Sequence, residues 1–349
     1  MIYAPVIIPT LCRYKHFVRC IESLKKNTWA KHTDVYIGLD YPAKESHWAG
    51  YNQIKKYLEH DFSEFKSFTV FERSKNHGAF QNIQKLIDYC EKRYDRYITL
   101  EDDTECSLNF LQYMDLMLEK YENDDSVIAI SGYSAPIELS FAEGCNAIKQ
   151  QLQANTWGTG RWKSKTKRIK KYLAKSELEK RYIKTYQSGR IFKMTDWAIM
   201  DYTNLVTQGV SWNSILKKIS DVSLRIFLTV EDKYVIMPVV SKTRNLGFDG
   251  SGLYCQEISY SPNKRITSEN YDYSNQRIDE SNDFVPMVDE GFDNEYNRSI
   301  YNQFDVVSKR KMDTIIKQAE CYCKLSRLNR VLLKKQLIEK SILKRIKKV

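Results

Sequence analysis

Short apolar runs alternate with stretches of helical periodicity over the first 130 residues. Runs of mostly apolar residues predict buried strands at 4–9, 35–39, 68–71, 97–100 and 127–130. Between them, apolar residues recur three or four positions apart, as in Phe17, Ile21 and Leu24, which predicts amphipathic helices. Regular alternation of strand and helix is typical of an α/β fold, in which a mostly parallel sheet carries helices on both faces.

The phosphate-binding motifs that often accompany such a Rossmann-like sheet are absent from the sequence. The first strand–helix turn lacks G-x-G-x-x-G, and G-x-x-x-x-G-K-[ST] occurs nowhere in the chain. Dinucleotide-dependent dehydrogenases and P-loop enzymes are therefore disfavoured. A nucleotide held by strand ends and a metal ion remains compatible with the pattern.

Three consecutive acids, Glu101, Asp102 and Asp103, directly follow the fourth predicted strand. Carboxylates that are buried without a partner are costly, and hard divalent cations prefer oxygen ligands. Ligands of open α/β sheets also bind at the carboxyl ends of the strands. We therefore predict a site for Mn²⁺ or Mg²⁺ and a phosphate group. The alternatives are a solvated acidic loop or acids that favour a helix N-terminus.

The second half of the chain is less regular and falls into segments of different composition. We divide the sequence into segments at 1–134 and 135–260, an extended arm at 261–307 and a basic helical tail at 308–349. Gly158 and Gly160 predict a loop beside Trp157 and Trp162. A Lys/Arg-rich helix is expected near 163–184.

The net charge of +11 lies entirely in the predicted tail. Residues 308–349 contain 14 Lys and Arg against 3 Asp and Glu, whereas the other 307 residues contain 41 of each kind. A neutral body argues against nucleic-acid binding there. A helix with one basic and one aliphatic face predicts binding to a membrane surface, with dimerisation or RNA binding by the tail as the alternatives.

Two further patterns bear on the compartment. No run of 18 apolar residues occurs, and no basic region precedes an apolar stretch at the N-terminus, so neither a membrane span nor a secretory signal is predicted. The eight cysteines are scattered without a paired C-x-x-C arrangement, which disfavours zinc and favours a reduced, cytoplasmic protein.

Several stretches, in this order, resemble glycosyltransferases of the GT-A fold. The resemblance covers about residues 4–255. The chain looks most like bacterial family-2-type sugar transferases and is also similar to N-acetylglucosaminyltransferases. The stretches that carry it are APVIIPT at 4–10, GLD at 38–40, NHG at 76–78, LEDD at 100–103, the Trp-Gly segment at 157–162 and NLGFDG at 245–250.

The resemblance implies roles for individual residues. Asp103 would bind Mn²⁺ or Mg²⁺ between the protein and the diphosphate of a nucleotide-sugar donor, in the first instance a UDP-sugar. Asp102 would support the metal's water shell or the donor ribose. The other donor-binding residues implied are Thr10, Arg13, Asp40, Lys75 and Gly78. Since all five histidines lie between positions 16 and 77, no late histidine can ligate the metal, and we expect weak, donor-dependent metal binding.

An inverting transfer also needs a carboxylate that takes the proton from the acceptor hydroxyl. The resemblance favours Asp221 as this base, although Asp221 could simply cap a helix. Asp196, beside Trp197, is the second candidate, and its alternative is a surface acid on an amphipathic helix.

The acceptor implied is a surface polysaccharide or lipid-linked oligosaccharide, reached by a peripheral enzyme on the cytoplasmic face of the inner membrane. The resemblance makes 1–134 the nucleotide-sugar-binding half and 135–260 the acceptor-binding and catalytic half. In the latter, Trp157 and Trp162 would stack on sugar rings, and core packing of these rings is the alternative. A nucleotidyltransferase is the rival enzyme, but it should carry a Gly-rich basic loop after the first strand, where this chain has Thr10-Leu11-Cys12-Arg13. A non-catalytic carbohydrate-binding or scaffold protein is the rival outside enzymes.

Overall fold

The computed structural model describes residues 1–151, 157–174, 231–252 and 271–291, with isolated positions between 180 and 230 and beyond 291. The chain forms two compact units. The first comprises Met1–Lys149, Asn155–Thr166 and Val235–Phe292, and the second comprises Gln150–Ala154, Lys167–Tyr234 and Asp293–Val349. The elements below belong to the first unit, except for Gln150, the residues from Lys167 to Ala174 and Tyr234, which belong to the second.

The first part of the chain alternates strictly between strands and helices. Its elements are β1 (Val6–Thr10), α1 (Tyr14–Lys25), β2 (Asp34–Leu39), α2 (Trp48–Tyr57), β3 (Ser67–Glu72), α3 (Gly78–Cys90) and β4 (Arg96–Thr99). The strands lie in the order β3-β2-β1-β4, and every neighbouring pair is parallel.

The later elements add strands to this sheet on the β4 side and form a second, two-stranded sheet. They are β5 (Thr104–Cys106), α4 (Phe110–Lys120), β6 (Val127–Ser131), β7 (Ala147–Gln150), β8 (Thr159–Trp162), α5 (Lys163–Ala174), β9 (Tyr234–Pro238), β10 (Thr243–Asn245) and β11 (Val288–Asp289). The nine-stranded order is β11-β7-β9-β6-β8-β4-β1-β2-β3, and β10 pairs with β5 in a separate two-stranded sheet. Strand β8 runs antiparallel between β4 and β6.

Hydrophobic layers cover both faces of the sheet because side chains alternate along each strand. In β1, Val6 and Ile8 pack into the layer formed by α1, α2 and α4. Ile7 points to the other layer, where it packs with Leu86 of α3 and Tyr97. The predicted fold class, a GT-A-like, Rossmann-type α/β sheet that is mostly parallel and has helices on both faces, is confirmed. The predicted helical tail at 308–349 lies largely outside the described residues.

Trp157 and Gly158 lie in a bend as expected, but the expectation of a loop is wrong for residues 159–162, which form the interior strand β8. Close packing favours glycine there, because a Cβ atom on Gly160 would lie 3.1 Å from Leu118 of α4 and the leucine side chain would have to shift. Trp162 is buried, and its Nε1 donates a hydrogen bond to the Leu118 carbonyl at 3.0 Å. Two glycines within four residues are typical of a turn, but here packing against α4 decides the conformation.

Part of the segment expected as an extended arm packs onto the sheet. Phe284 is buried in the same layer as α1 and α4, and β11 pairs in parallel with β7. Asp279 forms an ion pair with the buried Lys242, whose Nζ also lies 4.7 Å from the centre of the Phe284 ring. Residues 271–291 are therefore mostly irregular in conformation but are held by buried contacts.

Candidate active site at the carboxyl edge of the sheet

Polar residues follow three neighbouring parallel strands at the same edge of the sheet. Thr10 ends β1 and pairs in register with Leu39, so Asp40 emerges beside it from β2. Strand β4 is aligned with β1 through the pair Ile7 and Thr99, and the acids begin two residues later. The chain thus brings together side chains that lie up to about 90 positions apart, at the edge where open α/β sheets bind ligands.

The two aspartates of the triplet, called here the acid pair, are bridged by one arginine. Arg13 NH1 lies 2.7 Å from Asp103 Oδ2, and Arg13 NH2 contacts Asp102 Oδ1. Thr10 Oγ1 donates a hydrogen bond to Asp102 Oδ2 at 2.7 Å. Both carboxylates are buried, so this polar network is their main source of compensation for lost hydration.

The bridge changes the protonation equilibria of its members. Burial raises the pKa of Asp102, the positive charge of Arg13 opposes this shift, and the like charge of Asp103 adds to it. For Arg13, burial by itself would lower the pKa, but the two carboxylates outweigh it and raise the pKa further above its ordinary value. Arg13 therefore remains a full positive charge at the acid pair.

Residues 245–250, called here the late loop, pack directly against Asp103. The loop is brought there by β10, which pairs antiparallel with β5 immediately after the acids. Asn245 Nδ2 donates to Asp103 Oδ1 at 3.3 Å, and the Leu246 backbone N–H donates to the Asp103 carbonyl at 2.8 Å. Gly247 lies so close that a Cβ atom there would overlap Asp103 Oδ2.

A histidine of α1 links the late loop to the first helix. His16 Nε2 lies 3.1 Å from the Leu246 carbonyl oxygen and 3.1 Å from Asp249 Oδ2. Since His16 follows Arg13 by three residues, one helical turn presents both side chains to the acid pair and its loop. His16 was not among the site residues predicted from the sequence, although its spacing of three residues from Arg13 was an available signal.

The Asp40 carboxylate accepts hydrogen bonds from backbone N–H groups, two of them at the start of α3. The donors are the N–H groups of Tyr41 at 3.0 Å, His77 at 2.9 Å and Gly78 at 2.8 Å. Gly78 has a φ of +75°, which glycine adopts without strain. Asp40 thus stabilises the N-terminus of α3 and fixes the loop at the end of β3 beside the site. Lys75 lies in that loop and is exposed.

The two tryptophans expected to bind an acceptor lie in different environments. Trp157 is partly buried among aromatic rings, with centroid distances of 4.7 Å to Tyr133, 5.7 Å to Phe248 and 5.3 Å to Tyr273. Phe248 belongs to the late loop, so this aromatic group lies next to the acid pair. Trp162 is only 2% exposed and offers no ring face to a sugar, so it acts here as a core residue.

The candidate bases Asp221 and Asp196 lie outside the described residues. Within the described part of the chain, no group of three or more His, Cys, Asp and Glu side chains is arranged to hold a metal ion. The acid pair supplies oxygen donors of the kind that Mn²⁺ and Mg²⁺ accept, and carries two negative charges against the single charge of Arg13. These residues fit a divalent cation that takes its remaining ligands from water or a bound anion.

Neither a protein-family model nor a curated protein sequence matches the chain. Among solved structures, it is similar to the mannosyltransferase PcManGT from Pyrobaculum calidifontis in complex with GDP-Man and Mn²⁺, at 10% identity and a TM-score of 0.36, over 48% of this chain and 46% of that chain. It is also similar to S. aureus TarS residues 1–349, at 13% identity and a TM-score of 0.33, over 48% and 50%. A third is mouse xyloside xylosyltransferase 1, at 10% identity and a TM-score of 0.28, over 48% and 69%. The chain thus spans about half the length of the first two of these structures. The first and the third of these are, by name, a mannosyltransferase and a xylosyltransferase.

Proposed function

We propose that this protein is a glycosyltransferase that moves a sugar from a nucleotide-sugar donor to a glycan or lipid-linked glycan acceptor. The observation that carries the proposal is the buried acid pair at the carboxyl edge of the parallel sheet, bridged by Arg13 and covered by the late loop. Two adjacent buried carboxylates carry more negative charge than Arg13 alone balances, and a divalent cation with a diphosphate gives this surplus a use.

The donor half of the proposal uses the strand ends and the loop before α3. The residues assigned to donor binding are Thr10, Arg13, Asp40, Lys75, Gly78 and Asp102. Asp103 would hold Mn²⁺ or Mg²⁺ with Asp102 in support. When bound, the cation stabilises the negative charge that develops on the leaving diphosphate. We take UDP as the nucleotide to test first, from the sequence resemblance.

The acceptor half of the proposal rests on the aromatic group at Trp157 and on a carboxylate base. Trp157 and Phe248 are partly buried rings next to the late loop, a setting suited to stacking on a sugar face. An inverting reaction would use Asp221, or else Asp196, to remove the proton from the acceptor hydroxyl. The acceptor is assigned to a surface polysaccharide or a lipid-linked oligosaccharide, with the tail at 308–349 binding the membrane that carries it.

A panel of nucleotide sugars tests the donor assignment. Thermal unfolding of the protein should shift upward with one donor when Mn²⁺ is present, since a ligand that binds only the native state stabilises it. The same donor should be hydrolysed slowly without an acceptor, and Asp103→Ala should lower this turnover by on the order of 100-fold or more. Asp88→Ala, at an exposed position of α3, is the control.

Unchanged donor hydrolysis by the Asp103→Ala variant would contradict the proposal. Release of diphosphate from a nucleoside triphosphate and a sugar phosphate would instead identify a nucleotidyltransferase. Binding of glycans without any turnover of a donor would identify a carbohydrate-binding or scaffold protein.

A further inference from the structure

We infer that Arg13 is the resident counter-ion of the acid pair and must leave Asp103 before a divalent cation can bind there. The inference rests on the proposed function and concerns the order in which its ligands enter. It makes Arg13 a positioning residue that couples metal binding to donor binding, in addition to any contact it makes with the nucleotide.

Every carboxylate oxygen of the acid pair already has a partner. Asp102 Oδ1 contacts Arg13 NH2, and Asp102 Oδ2 accepts from Thr10 Oγ1. Asp103 Oδ2 contacts Arg13 NH1, and Asp103 Oδ1 accepts from Asn245 Nδ2. Each oxygen still has a second lone-pair direction, so a cation at Asp103 competes with these partners through charge and space, not through the lack of a free lone pair.

Space and exposure single out Arg13 as the partner that moves. Gly247 abuts Asp103 Oδ2 on one side, and Asn245 is held by β10. The side chains of Asp102 and Asp103 are 8% and 5% exposed, whereas that of Arg13 is 21% exposed. Arg13 is thus the member of the cluster with the largest contact with solvent, and it is the long, flexible one.

Charge gives the exchange its direction. A guanidinium and a divalent cation at the same carboxylate oxygen would repel each other strongly in this poorly hydrated setting. If Arg13 simply left, it would strand two buried negative charges, so metal and arginine exchange at the pair. A diphosphate supplies the place for the displaced guanidinium, since arginine binds phosphate oxygens in a bidentate fashion. Metal and donor should therefore strengthen each other's binding, by the reciprocity of linked equilibria.

Binding of Mn²⁺ alone, measured by isothermal titration calorimetry, tests this exchange without any need for turnover. Arg13→Gln removes the competing charge and keeps a polar side chain, and Arg19→Gln, at an exposed position of the same helix, is the matched control. We expect Arg13→Gln to bind Mn²⁺ at least tenfold more tightly than the native protein without nucleotide. The native protein should gain at least tenfold in Mn²⁺ affinity when UDP is added, and Arg13→Gln should gain much less.

Arg13→Lys extends the test if Arg13→Gln unfolds, which circular dichroism would reveal. A lysine keeps one charge but cannot bridge both carboxylates, so its Mn²⁺ affinity should fall between those of the other two proteins. Equal Mn²⁺ affinities in the native protein and the Arg13 variants would overturn the exchange and leave the metal site standing. Absence of Mn²⁺ binding in every protein, with UDP present, would overturn the exchange and the metal assignment together. Sugar transfer that persists in excess chelator would then show that the proposed transfer survives without a metal.

Discussion

Gly247 illustrates how strongly a single residue constrains this site. Its backbone lies against the Asp103 carboxylate, and an added Cβ would overlap Oδ2 and lie 3.1 Å from Arg13 NH1. Neither neighbour can yield without breaking the buried bridge between Arg13 and the acid pair. Glycine is therefore needed here for space, since the conformation at Gly247 lies outside the left-handed region that glycine usually serves.

Gly247→Ala should disturb the acid pair more than it disturbs the fold. We expect donor turnover to fall by more than tenfold, because the late loop or the Arg13 bridge has to shift. Overpacking of this kind destabilises proteins by about 1–3 kcal/mol, which denaturant unfolding would measure. Gly291→Ala is the control, since an added Cβ there meets only the partly buried Asp289 side chain at 3.1 Å, away from the acid pair. Full activity in Gly247→Ala would mean that the late loop does not stay against Asp103 during turnover.

The same scale explains why the site was only partly predictable from sequence. The acids stood out because three carboxylates follow an apolar run, which is a local pattern. The contact of Arg13 with Asp102 joins residues 89 positions apart, and that of Asn245 with Asp103 joins residues 142 positions apart. No local pattern encodes such pairs, so Arg13 was expected to bind the nucleotide and not the acids themselves.

At the scale of elements, the parallel strands were predictable and the later ones were not. Strands β1, β2 and β4 are covered on both faces and β3 is partly buried. All four contain short apolar runs, and the structure has them within two residues of the predicted bounds. The three-residue strand β5 is too short to show a periodicity, and the glycine in β8 imitates a turn. Packing between elements that are distant in the sequence determines that both segments form strands.

Helix α4 carries a buried acid that makes stability depend on pH. Asp115 Oδ1 accepts a hydrogen bond from the Ala4 N–H at 2.8 Å, just before β1, while its Oδ2 is buried without a hydrogen-bond partner. Burial raises the pKa of Asp115 from 3.8 to about 7. Because the folded state holds this proton more tightly than the unfolded state does, the stabilising contribution is complete below about pH 4 and is lost as the pH rises to about 7.

Asp115→Asn removes that dependence and keeps an oxygen for the Ala4 N–H. The variant should resemble the native protein near pH 4 and be more stable above about pH 7, with a gain on the order of a few kcal/mol. Urea unfolding at about pH 5 and about pH 8 would measure the difference. Asp88→Asn, on the exposed face of α3, should leave the pH profile unchanged. A gain that is equal at both pH values would contradict the assignment.

At the scale of the whole molecule, charge separates the tail from the rest of the chain. The tail holds 14 of the 55 basic residues and 3 of the 44 acidic ones, which accounts for the whole net charge of +11. No helix among the described residues is long and apolar enough to cross a membrane. Within the described part of the tail, residues 327–332 are helical, and the Ser326 hydroxyl accepts a hydrogen bond from the Asn329 N–H at 3.3 Å.

The apolar side of this short helix is exposed, which bears on how the protein would reach a lipid-linked acceptor. Leu328, Val331 and Leu332 are 68%, 58% and 50% exposed and recur at helical spacing, with Arg327 before them and Arg330 among them. Apolar side chains buried in the interface and arginines near anionic headgroups each favour binding, the latter by about 1 kcal/mol per charge. We therefore expect the protein to float with vesicles rich in anionic lipid and to be released by high salt.

Deleting residues 308–349 should abolish flotation and leave turnover of a soluble donor unchanged, because the acid pair and the late loop lie outside the tail. Leu328→Ser with Leu332→Ser should weaken vesicle binding without changing the net charge, which separates apolar insertion from electrostatic attraction. Flotation that survives the deletion would assign membrane binding to another surface. If only substitution of the basic residues abolishes flotation, the tail binds the membrane by electrostatic attraction alone. Such binding is weakened by salt and does not require the apolar side chains.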